Sequence, residues 1–221
     1  MAFQITDLTC NHMKNPIGMD DVPYFSYKLV DNGSDEKLTA YQIIVDDGTM
    51  IMWNSGRVPK DKQLLIKYDG KSLKPQTRYF WRVLAWNNHG ECSESQQAYF
   101  ETGLMQPFQW EAKWITADPQ GIMVGNKTGS HTTAPYMRRE FSVSKPVFDA
   151  TLYVSGLGYY ECYINGKSVK DTVLDPAFTE YDKAVMYRTH KVTNIVQGNN
   201  AISVVLGDGF YNADTDDVWN F

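Results

Sequence analysis

Cysteine is scarce in this chain. Cys10, Cys92 and Cys162 are the only three among 221 residues, and no two have C-x-x-C spacing. An odd, widely spaced set excludes a disulfide framework and a cysteine-ligated zinc site. It leaves free thiols in the role of small buried hydrophobes. Histidine is sparse too: His12, His89, His131 and His190 form no H-x-x-x-H pair, which removes the usual helical metal-ligand spacing. Positive charge is not in excess. With 21 Lys and Arg against 26 Asp and Glu the net charge is −5, so there is no basic stripe for nucleic-acid phosphates. No apolar run approaches the roughly 18 residues needed to cross a bilayer, and membrane insertion is not expected. The first residues, MAFQITDLTCNHMKNP, lack the charged, apolar and small-residue pattern of a secretory signal. The expected location is cytoplasmic, or periplasmic or secreted for a chain whose signal has been removed. A G-x-S-x-G elbow is missing, and Gly156-Leu157-Gly158 lacks the third glycine of a dinucleotide fingerprint. Amphipathic helical repeats are missing as well.

What is present is strand sequence. At 43% hydrophobic and 14% aromatic residues the chain has material for two packed cores of ordinary size. Seven short β-branched and aromatic runs, at 3–8, 24–30, 39–45, 50–53, 63–68, 78–86 and 97–102, predict strands. Turn residues separate them at Asn32-Gly33, Asp47-Gly48, Asp69-Gly70 and 87–90. Regular spacing of this kind predicts an immunoglobulin or fibronectin type III sandwich over residues 1–104. Alternation sets the faces: Tyr41, Ile43 and Val45 share one side, as do Tyr79, Trp81, Val83 and Ala85. The stretch Leu73-Lys74-Pro75-Gln76-Thr77-Arg78-Tyr79 resembles a tyrosine corner, whose hydroxyl bonds back to the upstream backbone.

Residues 105–221 read as a second sandwich. A polar loop at 118–135 precedes strands at 137–143, 150–154, 159–164 and 201–206. Between Ile164 and Lys167, Asn165-Gly166 is the strongest hairpin signal in the chain, because both residues tolerate the positive φ of a type I′ turn. The fold class expected is therefore all-β, two β-sandwich domains.

Several motifs, in fixed order, carry a resemblance. FETGL at 100–104, W-x-A-x-W-I at 110–115 and R-R-x-F at 138–141 are followed by LYVSGLGYYE at 152–161. I-N-G-K-x-V at 164–169, L-D-P-A-F-T-x-Y at 174–181, Y-x-T-x-x-V-T at 187–193 and LGDGFY at 206–211 complete the run. Together they resemble the non-catalytic N-terminal region of bacterial α-L-rhamnosidases of glycoside hydrolase family 78. Tyr41-Gln42-Ile43 and WNSGRV at 53–58 are similar to that family's preceding fibronectin-like module. The resemblance implies a fibronectin type III-like domain and part of a jelly-roll-like one, incomplete at its C-terminal end. It also implies a parent that cleaves terminal α-L-rhamnose by inversion on an (α/α)₆ barrel, with two carboxyls roughly 6.5–9.5 Å apart. No position of this chain matches those catalytic residues. The chain is thus expected to be inactive alone, with the barrel as its partner and rhamnose-containing glycosides as ligands it contacts. Strands left without neighbours at 159–164 and 201–206 would expose apolar surface, giving self-association or weaker protection of the second domain. The alternative is a free-standing carbohydrate-binding or adhesion module.

Candidate site residues are few. Tyr211, Asn212 and Trp219 are the expected sugar contacts. Trp53 and Trp86 are aromatics for sugar or for packing, and large rings usually supply burial. Asp214, Asp216 and Asp217 offer alternating carboxylate oxygens to a hard cation such as Ca²⁺, as some relatives of the second domain use for rhamnose. The competing reading is a solvated acidic loop, since the Gly and Glu of an EF-hand loop are missing. Asp20-Asp21 and Asp46-Asp47 read as solvated turn charge.

Overall fold

The computed structural model describes residues 3–30, 37–115, 134–170, 172–207, 209 and 211. It divides into two compact units, Met1–Glu111 and Ala112–Phe221.

Eight strands build the first unit: β1 (Gln4–Cys10), β2 (Tyr24–Val30), β3 (Leu38–Asp46), β4 (Ile51–Asn54), β5 (Ile66–Lys67), β6 (Arg78–Asn87), β7 (Cys92–Glu94) and β8 (Ala98–Glu101). A three-stranded sheet in the order β1-β2-β5 faces a five-stranded one, β4-β3-β6-β7 with β8 also pairing β6. The expected alternation appears in β6, where Tyr79, Trp81, Val83 and Ala85 are buried and the residues between them are half-buried. Facing them, Phe25 of β2 lies 4.5 Å from Trp81, ring centroid to centroid. Full burial of each such side chain contributes about 1.5–3 kcal/mol relative to leaving it in water. The tyrosine corner is formed: the Lys74 N–H donates to the Tyr79 hydroxyl at 2.8 Å.

Two local readings change. The run expected at 63–68 pairs only over Ile66–Lys67. Leu65 takes φ +50°, and its N–H turns to the Ser26 hydroxyl, so the backbone leaves the ladder before Ile66. The short β7 had no apolar signal, because Cys92, Ser93 and Glu94 pair with β6 at an exposed edge. Cys92 is exposed there, whereas Cys10 and Cys162 are buried.

After a short 3₁₀ turn at Pro107–Gln109, the second unit contains β9 (Tyr136–Val143), β10 (Thr151–Val154), β11 (Tyr159–Ile164), β12 (Lys167–Ser168), β13 (Arg188–Lys191) and β14 (Gly198–Gly207). They form a four-stranded sheet, β12-β11-β14-β9, and a two-stranded one, β10-β13. The β11–β12 hairpin closes through Asn165 (φ +50°) and Gly166 (φ +76°), the positive pair required by a type I′ turn. Alternation in β11 sends Tyr160, Cys162 and Ile164 inward. In β14, by contrast, every residue from Ala201 to Leu206 is half-buried. Both faces of that strand are therefore only partly covered.

Candidate functional site

The second unit's chemistry-bearing side chains gather where the two sheets meet. From β11, the Tyr160 hydroxyl lies 3.1 Å from Nε2 of His190 on β13, and both residues are buried. The Tyr160 N–H donates to the Asp175 carbonyl at 3.0 Å. Asp175, also buried, accepts from the Thr172 hydroxyl and pairs with Arg188 Nε at 3.4 Å. Burial pushes the Tyr160 phenol pKa upward, with the Asp175 charge adding to it, so the hydroxyl stays protonated.

Lys170 enters the same cluster from below. Its side chain is only 1% exposed, a position an ammonium tolerates only with partners in place. It donates to the Tyr160 carbonyl at 2.5 Å, pairs with Glu161 at 3.1 Å and lies 4.8 Å from the centre of the Tyr160 ring. Each ionised member is thereby engaged with an opposite charge. Such a cluster can fix backbone geometry.

At one end of the unit three of the sequence motifs converge. Tyr211 packs edge-on against Tyr181 at 5.6 Å, and Tyr181 does the same with Phe178 at 5.6 Å. The Tyr181 hydroxyl accepts from the Gly158 N–H at 3.3 Å. Gly158 and Gly209 approach so closely that a Cβ on Gly209 would stand 2.8 Å from the Gly158 Cα. This contact explains glycine at 209 in LGDGFY, and φ +80° favours it at 158 in GLGYYE. Asn212, Asp214, Asp216, Asp217 and Trp219, and with them the proposed Ca²⁺ ligands, lie outside the described residues, as does most of the 118–135 loop. Among the described residues no cluster of three or more His, Cys, Asp or Glu is arranged to hold a metal ion.

An open groove of about 450 Å³ runs beside the β11–β12 hairpin, with Asn165, Lys167, Ser168, Lys191, Thr193 and Asn194 among its walls. Lys191 is bound to the Asp149 carboxylate at 3.0 Å, which offsets its charge there. The Asn165 side chain bridges Asn200 and the Asn194 carbonyl, and its amide oxygen accepts from the Ala201 N–H. Those bonds tie the hairpin to β14, so the polar residues here serve the turn.

In the first unit both tryptophans make contacts within the sandwich. Trp53 stacks on Phe25 at 6.1 Å and meets Tyr68 edge-on at 5.5 Å, at the margin of the core. Trp86 is half-buried under the Arg57 guanidinium, 4.7 Å from its ring. Asp47 is a turn residue: it accepts from the Thr49 hydroxyl and from the Thr49 and Met50 N–H groups, which lowers its pKa to about 2. Asp20 accepts from the Met105 N–H. Buried Glu101 pairs with Arg78 at 2.5 Å.

Residues 5–106 match the model of the Rha78A-like, N-terminal immunoglobulin domain, and residues 145–220 match that of the alpha-L-rhamnosidase N-terminal domain. An alpha-L-rhamnosidase of Formosa agariphila is 35% identical over 91% of this chain and 24% of its own length. One from Alteromonas is 31% identical over 89% of this chain and 23% of its own. The solved structure of alpha-L-rhamnosidase from Dictyoglumus thermophilum superposes with a TM-score of 0.84 at 39% identity, covering 94% of this chain and 25% of that one. The chain thus spans about a quarter of the length of the relatives it matches.

Proposed function

We propose that the chain is a non-catalytic supporting region of an α-L-rhamnosidase-type glycoside hydrolase, because residues 5–106 and 145–220 match the N-terminal immunoglobulin domain and the N-terminal domain of such enzymes. The observation that carries this reading is the order of the two matched domains, together covering most of the chain and about a quarter of each relative. The site chemistry agrees. Inversion needs an acid and a base roughly 6.5–9.5 Å apart with a water between them. The buried carboxylates described here, Glu101 and Asp175, belong to different units and are each closed by an arginine. The role of the chain is then to brace the catalytic part of the polypeptide.

The test is an assay of the purified chain on an aryl α-L-rhamnoside. No turnover above buffer is expected. Turnover that persists through repurification and vanishes in Asp175→Asn would overturn the reading.

The edge-to-face cluster of Phe178, Tyr181 and Tyr211 favours a second reading, a carbohydrate-binding module, since such rings offer apolar faces to a pyranose. Titration calorimetry with L-rhamnose separates the two. Heat that is lost in Tyr211→Ala supports the module, and a flat trace supports the brace.

A further inference from the structure

The segment from Thr172 to Met186 holds four apolar side chains in water. Val173 is 79% exposed, Leu174 64%, Phe178 58% and Met186 48%. Single exposed hydrophobes are ordinary on a protein surface. Three features coincide here. First, Leu174 has φ +58°, a strained conformation that a bulky side chain adopts only where its surroundings enforce it. Second, the enforcing contacts are visible. The Thr172 hydroxyl bonds to the Asp175 carboxylate across the turn, so Val173 and Leu174 form its tip. Asp175 itself is buried and gripped by Arg188, and its carbonyl accepts from the Tyr160 N–H. Third, the other end of the segment is pinned as well, because the Met186 carbonyl accepts from the Ser155 hydroxyl at 2.7 Å. Strain and buried charge are thus spent on holding apolar groups outward. In isolation that arrangement is costly; against an apolar partner it is a preformed knob.

The geometry points to this segment, with Val173 and Leu174 at its tip, as the surface on which the catalytic remainder of an α-L-rhamnosidase polypeptide docks. The inference rests on the supporting role proposed above and names the surface that performs it. The occupant follows from length: each matched relative carries about three quarters of its chain beyond the matched part, in one polypeptide with it. A tethered neighbour needs little contact area to stay bound, because the tether supplies a high effective concentration.

The experiment replaces the matched quarter of the Dictyoglumus thermophilum alpha-L-rhamnosidase with this chain. Hydroxyl-radical footprinting then compares the fusion with the chain alone. Oxidation of Leu174, Phe178 and Met186 is expected to fall several-fold in the fusion, while Met50, an exposed residue of the first unit, is unchanged. Val173→Asp with Leu174→Asp should lower the fusion's unfolding temperature and leave that of the chain alone unaffected. Protection that appears elsewhere on the chain but not on this segment overturns the surface and keeps the supporting role. No protection anywhere overturns both, as does a fusion that fails to fold where the unaltered enzyme folds. Equal protection in the concentrated chain alone assigns the segment to a second copy, and this proposal falls.

Discussion

The Tyr160 hydroxyl and His190 Nε2, 3.1 Å apart and both buried, join the four-stranded sheet of the second unit to its two-stranded one. Apolar packing between these sheets is thin: among the described residues of this unit, Tyr160, Cys162, Ile164 and Val192 are the buried hydrophobes of the strands and their flanks. A polar contact in so small a core carries a larger share of the stability than it would in the first unit. Low local dielectric strengthens it, and the same dielectric makes its loss costly.

Tyr160→Phe is therefore expected to destabilise the second unit by about 1–2 kcal/mol, the usual loss when one partner of a buried hydrogen bond is removed. Hydrogen exchange at β11 and β13 measures it directly. Exchange there should accelerate while that of β6 in the first unit stays as it was. Uniform acceleration of both units would show that Tyr160 does not act locally.

The equivalent test in the first unit is Tyr79→Phe. The Tyr79 ring keeps its stacking on Phe100, 5.3 Å away, so only the hydroxyl's bond from the Lys74 N–H is lost. A cost of about 1 kcal/mol is expected, read as a lower urea midpoint with unchanged slope. Identical midpoints would mean that the corner contributes nothing.

Both ends of the pH scale should erode stability, for opposite reasons. Burial raises the pKa of Cys10 from 9.0 to about 12, of Cys162 from 9.0 to about 11 and of Tyr68 from 10.0 to about 12, and moves Tyr27 and Tyr160 upward. The unfolded chain then ionises before the folded one does. Stability from these groups is full below pH 9 and declines as pH rises through the folded values. At the acid end Asp7, bonded to Lys14 and Lys28, and Asp47, bonded to Thr49 and the backbone, are lowered from 3.8 to about 2. Their contribution is present above 3.8 and is lost as pH falls towards 2. Urea midpoints should form a plateau between these limits. Cys162→Ala should flatten the alkaline decline in the second unit; an unaltered slope would remove burial of that thiol as its cause. Added salt should weaken Asp7 more than Asp47, because the former depends on exposed pairs with Lys14 and Lys28 and the latter chiefly on bonds from Thr49 and Met50.

How much of this was legible in the sequence depends on what each feature requires. Strands with a buried face announce themselves by alternation, so β3 and β6 were found with their inward residues, and Asn165-Gly166 named its own turn. β7 and β13 were not found as strands. Their residues, Cys92–Glu94 and Arg188–Lys191, are short and largely polar and are set by the neighbour they pair with, information that no local window contains. The same holds for the second unit's polar cluster. Tyr160, Asp175 and the pair Arg188 and His190 fall in three separate motifs, Lys170 falls in none, and only the fold brings them within bonding distance. Tyr211 was singled out from its motif, but its partners Tyr181 and Phe178 come from another. The close approach of Gly158 and Gly209 was equally invisible, although both glycines were plain in the sequence.

Gly70 gives a prediction in which steric and conformational costs separate. It does not have positive φ, so backbone preference alone would permit alanine there. Space does not: a Cβ would stand 2.5 Å from the Trp53 Cβ, 2.6 Å from the Met52 carbonyl oxygen and 2.6 Å from the Tyr68 ring. None of these can swing away, because Lys71 N–H bonds to that same Met52 carbonyl and the Tyr68 hydroxyl is tied to the Lys71 carbonyl at 2.7 Å. Gly56 is the converse, with φ +64° and nothing within 4 Å of its would-be Cβ. Gly56→Ala should cost about 1 kcal/mol, from the left-handed backbone alone. Gly70→Ala should cost more, about 1–3 kcal/mol, and should push β4 outward, shifting Trp53 off Phe25. Tryptophan fluorescence and a urea melt of the two variants decide it. If Gly70→Ala is the milder change, or leaves the emission of Trp53 where it was, the 68–71 turn does not clamp the edge of the sheet as its contacts indicate.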